Sequence, residues 1–436
     1  MPKKLLVLVA VAVSGLALLL GFRYGSERPA AKQQPLKLAT DGAQPKSPSD
    51  RLVVAARNII EREPSGAKGY AMLAAAYMQK ARETGDFSLN AKADEALSRA
   101  EQAEPGDYDT LKLRAKLLLT YHRFAEALDV ARRARELNPR DHDNYGAMTD
   151  ALVELGDYDG AVAAAQTMVD LRPDTASYSR VSYLRELHGD TKGAVDAMSM
   201  AVESAGPQDP EGVAWCRVHL GDALVRAGKP AEAEREYDHA LYVFPEYHVA
   251  LAAKARARLA AGDTDAAAQF YQRAIERVPL PDYAAALGDL YTKLGRAEDA
   301  KRQYELVEFV ERTGAQGGTY TRQLAMFWAD HDTRLDDALA VARSEREARK
   351  DIYTADLLAW CLYKKGQYAE AKTAMSEALR LGTRDPRLLF HAGVIADASG
   401  DRAGGAKYLR QALAINPSFD VLQADAARRV LAGRAA

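Results

Sequence analysis

Prolines recur along this 436-residue chain at a fixed interval. Pro105, Pro139, Pro173 and Pro207 are each 34 residues apart. A period of this length predicts an array of stacked units, because each small unit buries its apolar face only against its neighbours. An array of this kind leaves little room in the chain for a separate globular domain.

One unit shows how the period is built. Tyr145, Met148 and Leu152 fall at helical spacing, which predicts a helix with one apolar face. Gly156 then ends that helix, since glycine adopts the left-handed conformation without a side-chain penalty. A second helix follows, with Ala161 on its inner face. The sequence therefore predicts two antiparallel helices joined by a tight turn.

Small residues return at two positions of every unit. Glycine is expected in the turn, and alanine at the point where the two helices cross, because small side chains allow close approach of the backbones. The turn glycines are Gly156, Gly189, Gly228, Gly262, Gly295, Gly366 and Gly400. The crossing alanines are Ala127, Ala161, Ala194, Ala233, Ala267, Ala300, Ala338 and Ala371.

This pattern resembles the tetratricopeptide repeat family, whose 34-residue helix-turn-helix carries small residues at the eighth, twentieth and twenty-seventh positions and proline at the thirty-second. Ten such units begin near residues 67, 108, 142, 175, 214, 248, 281, 319, 352 and 386. The resemblance implies an all-α fold, a right-handed α-solenoid of about ten units. The sequence before the array separately predicts an N-terminal transmembrane or signal helix. The eighth unit departs from the pattern, with Met326 at the small position and Thr333 in place of the turn glycine.

The chain divides into five segments by composition and pattern. Residues 1–22 are a signal anchor or signal peptide, and residues 23–48 are a disordered, proline-rich linker. Residues 49–66 form an N-terminal capping helix, and residues 67–418 form the repeat array. Residues 419–436 form a C-terminal capping helix and tail.

Residues 5–22 contain no charged side chain. As a helix this segment would extend about 27 Å, enough to cross a thin bilayer. Its length and the poor cleavage sequence after it favour an uncleaved membrane anchor, with an extracytoplasmic repeat domain. The alternative is a cleaved signal peptide that releases a soluble periplasmic or secreted protein.

The family resemblance also implies where a partner binds. Positions 2, 5, 9, 12 and 13 of each repeat would face a concave groove, which suits a protein or peptide partner because aromatic and charged side chains supply buried area and register. The candidate groove residues are Tyr183, Glu186, Trp215, Asp222, Arg226, Arg256, Asp289, Tyr320, Phe327, Asp330, Tyr353, Asp356, Trp360, Tyr363 and Phe390. The alternative is that several of the aromatic side chains only pack between neighbouring first helices. Exposure to solvent distinguishes the two.

Composition and motifs argue against other functions. The 59 Lys and Arg residues nearly balance the 61 Asp and Glu residues, so no nucleic-acid partner is expected. Asp330, His331 and Asp332 are adjacent, but consecutive residues at a helix end point in different directions, so no metal is expected. Cys216 and Cys361 are interpreted as small buried side chains. No cofactor motif occurs, and the chain is interpreted as a non-enzyme.

These observations together predict a non-catalytic, membrane-tethered scaffold or adaptor that binds a partner polypeptide in its groove. One alternative is a soluble component of an export or envelope-assembly machine. A second alternative is a structural subunit that associates with copies of itself.

Overall fold

The computed structural model describes residues 47–314 and 321–433. Within these ranges the chain forms 22 α-helices and no β-strand, which confirms the all-α class. The segment predicted as an anchor, residues 1–22, and nearly all of the predicted linker, residues 23–48, lie outside the described residues. In the ranges that the structure describes, no helix combines the length and the apolar character needed to cross a membrane.

The helices follow one another in pairs. Before the array comes α1 (Pro48–Arg62), and after it comes α22 (Gln423–Ala432). Units 1 to 5 are α2 (Ala67–Thr84) with α3 (Leu89–Ala103), α4 (Tyr108–Thr120) with α5 (Phe124–Leu137), α6 (His142–Glu154) with α7 (Tyr158–Leu171), α8 (Thr175–Leu187) with α9 (Thr191–Ser204), and α10 (Pro210–Arg226) with α11 (Pro230–Val243). Units 6 to 10 are α12 (His248–Ala260) with α13 (Thr264–Arg277), α14 (Pro281–Lys293) with α15 (Ala297–Gly314), α16 (Arg322–Asp330) with α17 (Leu335–Ala348), α18 (Ile352–Lys364) with α19 (Tyr368–Ala378), and α20 (Pro386–Ala398) with α21 (Arg402–Ile415).

The first helix begins at the last residue that the sequence assigned to the linker. Ser47 caps α1 by accepting a hydrogen bond from the Asp50 backbone N–H at 3.1 Å, and Pro48 occupies its first turn, where a missing N–H costs nothing. At the other end of the chain, α22 stops before residues 434–436, which the structure does not describe.

The turn between paired helices has the predicted geometry. Gly156 has a φ of 76°, and Asp157 then caps α7 by accepting a hydrogen bond from the Gly160 N–H at 2.9 Å. All seven predicted turn glycines have positive φ, so this prediction is confirmed. In unit 8 the prediction of Thr333 at this position is wrong: Asp332 takes it, with a φ of 54°. An aspartate tolerates this conformation better than a β-branched threonine.

The eight predicted crossing alanines are all buried, which confirms that position as a packing contact. Ala161 is completely inaccessible to solvent. The core of the array thus lies between the first and second helices, in three hydrophobic clusters of buried residues.

Units that lie six apart along the chain contact each other. The Lys350 N–H donates to the Glu154 carbonyl at 3.0 Å, and the Ile352 N–H donates to the Tyr158 hydroxyl at 2.9 Å. These bonds join the turn of unit 3 to the start of unit 9. We call this contact, between residues 154–158 and 349–352, the seam.

Two further contacts have the same spacing along the chain. The Thr383 hydroxyl donates to the Leu187 carbonyl, which joins unit 4 to unit 10. At unit 1, Gly85 packs so closely on Val278, just before unit 7, that no side chain would fit there. One superhelical turn therefore contains six units, and the first helices of that turn enclose a narrow interior.

Candidate binding groove

The interior of the superhelix contains two adjoining cavities. The central cavity has a volume of about 530 Å³ and the side cavity one of about 870 Å³. The central cavity is bounded by Arg256, Asp282, Phe327, Tyr353, Arg387 and Asp420. Arg256, Asp385, Arg387 and Phe419 border both cavities, so the two spaces adjoin.

Acidic side chains outnumber basic ones around the central cavity. Among the described residues that line it, the carboxylates are Asp282, Asp289, Asp330, Asp356, Asp385 and Asp420. The guanidinium groups are Arg256, Arg322 and Arg387. Most of these charges are held in ion pairs or hydrogen bonds with other residues of the chain.

Asp330 is one of the carboxylates held by three hydrogen bonds. It accepts hydrogen bonds from Arg387 at 2.9 Å, from the Trp360 indole N–H at 2.9 Å and from the Gln423 amide at 2.7 Å. Burial raises the pKa of Asp330, and the positive charge of Arg387 acts in the opposite direction. Arg387 also contacts Asp420 at 3.2 Å. This network fixes α20 and the segment before α22 against α16.

Asp289 and His331 form a second pair, with 2.7 Å between the carboxylate and Nε2. Asp289 also accepts a hydrogen bond from the Tyr304 hydroxyl at 2.8 Å. Burial lowers the pKa of His331, but the hydrogen bond and charge of Asp289 outweigh it, so the pKa is raised overall. The pair links unit 7 to unit 8.

A third set of charges lies where units 4, 5 and 6 meet. Asp222 accepts hydrogen bonds from Arg256 at 2.9 Å and from the Tyr237 hydroxyl at 2.8 Å. Arg226 lies 3.2 Å from Glu186. Burial acts to raise the pKa of Asp222, but Arg256 and Arg226 lower it further than burial raises it. These ion pairs run along the groove and connect successive first helices.

Asp282 and Tyr271 are among the polar side chains of the central cavity that lack such partners. The Asp282 carboxylate makes no hydrogen bond or ion pair within the part of the chain that the structure describes. The Tyr271 side chain is 3% exposed, and its hydroxyl has no hydrogen-bond partner among the described residues. Burial raises the pKa of Asp282, and it raises that of Tyr271 to about 12.

The predicted groove residues lie in different parts of the structure. Arg256, Asp289, Phe327, Asp330, Tyr353 and Asp356 line the central cavity, and Asp222, Arg226 and Arg256 line the side cavity. Glu186 lies beside Arg226 in a small adjoining pocket. Tyr183 is 39% exposed, Trp215 is 37% exposed and Tyr363 is half-buried, and none of these three borders either cavity. Tyr320 lies outside the described residues.

Four of the candidates do not meet the exposure criterion. Phe327, Asp356, Trp360 and Phe390 are buried, and Trp360 is only 4% exposed. The aromatic rings pack between neighbouring first helices, as the Trp360 ring does on the His391 ring at 4.1 Å. The expectation that Trp360 and Phe390 present a binding surface is therefore wrong, because packing against the neighbouring unit covers both rings.

Among the residues of the central cavity that sequence reasoning missed, four have side chains that matter for its chemistry. Asp282 and Arg387 stand second in units 7 and 10, a position already assigned to the groove. Tyr271 belongs to a second helix, and Asp420 belongs to the segment after the last unit. Neither position belongs to the first helix of a repeat, so the repeat pattern carried no signal for these two.

The residues Asp330, His331 and Asp332 make separate contacts. Asp330 binds Arg387, His331 binds Asp289 and Asp332 binds Lys364 at 2.9 Å. The side chains therefore diverge, as their position at a helix end predicts.

A different set, Asp141, His142 and Asp143, places its possible ligand atoms within 4.8 Å of one another. These two carboxylates already form ion pairs with lysine ammonium groups. Lys112 lies 3.0 Å from Asp141, and Lys116 lies 2.9 Å from Asp143. The local charge is thus balanced by the chain itself, and the arrangement links unit 2 to unit 3.

With the geometry established, the chain can be compared with known proteins. Residues 147–210, 219–280 and 357–418 match the tetratricopeptide repeat family. These three segments make up less than half of the chain, and they support its place in the tetratricopeptide repeat superfamily. Folds of this family are typically non-catalytic scaffolds for protein–protein interaction. No curated protein sequence matches the chain.

Several solved structures are similar. PilW, a widely conserved type IV pilus biogenesis factor, is 16% identical over 50% of this chain and 97% of that chain, with a TM-score of 0.39. A tetratricopeptide repeat protein from Parabacteroides merdae is 18% identical over 59% of this chain and 97% of that one, with a TM-score of 0.33. MamA is 16% identical over 37% of this chain and 93% of that one, with a TM-score of 0.31. At these scores the likenesses carry no argument about partner or activity.

Proposed function

We propose that this protein is a non-catalytic scaffold that holds an extended segment of a partner polypeptide inside its superhelix. The observation that carries the proposal is that the central and side cavities adjoin inside the superhelix, with Arg256, Asp385 and Arg387 at the border of both. Both cavities are lined by aromatic and charged side chains. Such surfaces provide buried area and fix the register of a bound segment.

The ion pairs along the groove support binding rather than catalysis. Three such pairs are joined by hydrogen bonds between opposite charges: Asp289 with His331, Asp330 with Arg387, and Asp222 with Arg256. Charges held in this way form a rigid lining, which lowers the entropic cost of ordering the groove around a partner.

We also propose that residues 5–22 tether the scaffold to a membrane, with the repeat array on the extracytoplasmic side. The support is the uncharged run of these residues in the sequence. Extraction of membranes with alkaline carbonate would leave the full-length chain in the pellet, and external protease would digest the array in spheroplasts. Recovery of the chain in the soluble fraction, shortened at its N-terminus, would instead favour a cleaved signal peptide.

The groove itself can be tested by photocrosslinking. Gln323 is exposed and lines the central cavity, whereas Arg132 is exposed on a second helix of unit 2. A benzoylphenylalanine at position 323 should crosslink to a partner polypeptide in cells, and the same group at position 132 should yield few adducts. Equal crosslinking from both positions, or none from position 323, would contradict the proposed groove.

A further inference from the structure

We propose that the central cavity selects a basic side chain of the bound segment, and that Asp282 and Tyr271 receive its cationic group. This inference rests on the proposed function and names the chemistry of the partner. The bound segment would carry a lysine or arginine at the residue that enters the cavity.

The argument begins with which carboxylates of the cavity are already occupied. Asp289 is bound to His331, Asp356 to His391 at 2.9 Å, and both Asp330 and Asp420 to Arg387. The fifth, Asp385, accepts the backbone N–H groups of Arg387 and Leu388, at 2.9 and 3.2 Å, as the cap of α20.

Asp282 is the remaining carboxylate of the cavity, and it makes no hydrogen bond or ion pair with the residues that the structure describes. Its side chain is open to the cavity, yet the surrounding helices exclude enough bulk solvent for burial to raise its pKa. The charges of Arg387, Arg322 and Arg256 act to lower that pKa, but none of the three forms an ion pair with Asp282, so its exposed carboxylate is open to a cation from a partner. A bound ammonium or guanidinium group would make a charge-assisted hydrogen bond to it.

Tyr271 provides an independent observation. Its ring is almost completely buried and borders the cavity, but its hydroxyl makes no hydrogen bond to any residue that the structure describes. The hydroxyl oxygen is not sealed off from the cavity, so a group that fills the cavity can bond to it. The phenolic oxygen can accept a hydrogen bond from an ammonium or guanidinium group.

Three arginines border the cavity and would repel a bound cation, but each of them is paired with a carboxylate of the chain, which reduces that repulsion. Arg256 is engaged by Asp222, and Arg387 by Asp330 and Asp420. The third, Arg322, lies 3.4 Å from Asp351. Aromatic rings of Phe327 and Tyr353 complete the lining, and aromatic faces attract cations.

The test uses two fluorescein-labelled peptides that differ only in charge. Hexaarginine is the basic probe, and hexacitrulline is its neutral match with the same shape. Fluorescence anisotropy on the full chain should show binding of hexaarginine and at least tenfold weaker binding of hexacitrulline. Equal affinity for the two peptides would overturn the proposal.

The variant pair Asp282→Asn and Asp159→Asn locates the effect. Asp159 is an exposed carboxylate on a second helix, so both variants lose one negative charge. Asp282→Asn should weaken hexaarginine binding by about tenfold or more, as expected for a lost charge-assisted hydrogen bond, and Asp159→Asn by less than about twofold. Equal losses would mean that the peptide responds only to the overall charge, and the proposal would be wrong.

Tyr271→Phe removes a single oxygen atom and gives a second readout. We expect affinity for hexaarginine to fall severalfold while thermal stability stays level or rises, because the lost hydroxyl had no partner in the folded chain. An unchanged affinity would overturn the role of Tyr271. The two proposals also fail separately: crosslinks from position 323 combined with an unaffected Asp282→Asn variant would leave the scaffold function standing and remove the basic selection.

Discussion

Replacing Gly156 with alanine should destabilise the array more than the same replacement of Gly366. Both glycines occupy the same turn position, with φ values of 76° and 74°. A side chain in this conformation costs roughly 1–2 kcal/mol at either site. What differs is the surroundings. A Cβ atom at Gly156 would lie 2.5 Å from the Lys350 carbonyl oxygen across the seam, whereas at Gly366 nothing lies within 4 Å.

The size of the difference follows from that contact. A Cβ at 2.5 Å from a backbone oxygen forces the seam to shift, and overpacking of this kind costs about 1–3 kcal/mol. Gly156→Ala should therefore lower the free energy of unfolding by about 2–5 kcal/mol in total, against about 1–2 kcal/mol for Gly366→Ala. Gly228→Ala is a second control, since Gly228 has a φ of 76° and open space around it.

Urea unfolding followed by circular dichroism at 222 nm measures all three variants on one scale, with the slope of the transition checked for each. Equal destabilisation of the three variants would refute the reasoning, because it would mean that units 3 and 9 do not touch in solution.

Three further predictions concern packing and charge. Ala161→Leu should cost about 1–3 kcal/mol of stability in the same assay, whereas Val162→Leu at the exposed neighbouring position should change it by less than about 0.5 kcal/mol. Trp360→Ala should lower the free energy of unfolding by about 3–5 kcal/mol, since this buried ring also donates a hydrogen bond to Asp330; an unaltered unfolding transition would show that the ring is not a packing element. The raised pKa of His331 means that its protonated form stabilises the fold, a contribution fully present below about pH 6.5 and lost as the pH rises through the raised pKa. Thermal unfolding between about pH 5 and 9 should show this decline in the wild type and not in His331→Gln.

The local structure was predictable because it depends on short-range rules. The interval between prolines gives the length of a unit, and the turn at Gly156 and the crossing at Ala161 follow from backbone conformation and side-chain size. In unit 8 these short-range rules did not predict the turn residue correctly. There Asp332, and not Thr333, takes the left-handed turn position, because the pattern could not show which residue of that turn would adopt it.

The interior of the groove was less predictable, because it depends on the pitch of the whole superhelix. The repeat pattern predicted Arg256 and Asp330 in the groove, and both line the central cavity. For the aromatic side chains it left exposure and packing both open, and Trp360 shows that a ring at such a position can be covered by the next unit, here by His391. Tyr271 and Asp420 lie outside the first helices, so no repeat position predicted that they would line the cavity.

The central claim is that polypeptide enters the superhelix between the first helices, and hydrogen–deuterium exchange read by mass spectrometry tests it most directly. Exchange of the full chain would be compared with and without saturating hexaarginine. The account predicts slower exchange in α14 (Pro281–Lys293) and α16 (Arg322–Asp330), with the second helix α5 (Phe124–Leu137) unchanged. Protection confined to second helices, or protection spread evenly over the array, would contradict it.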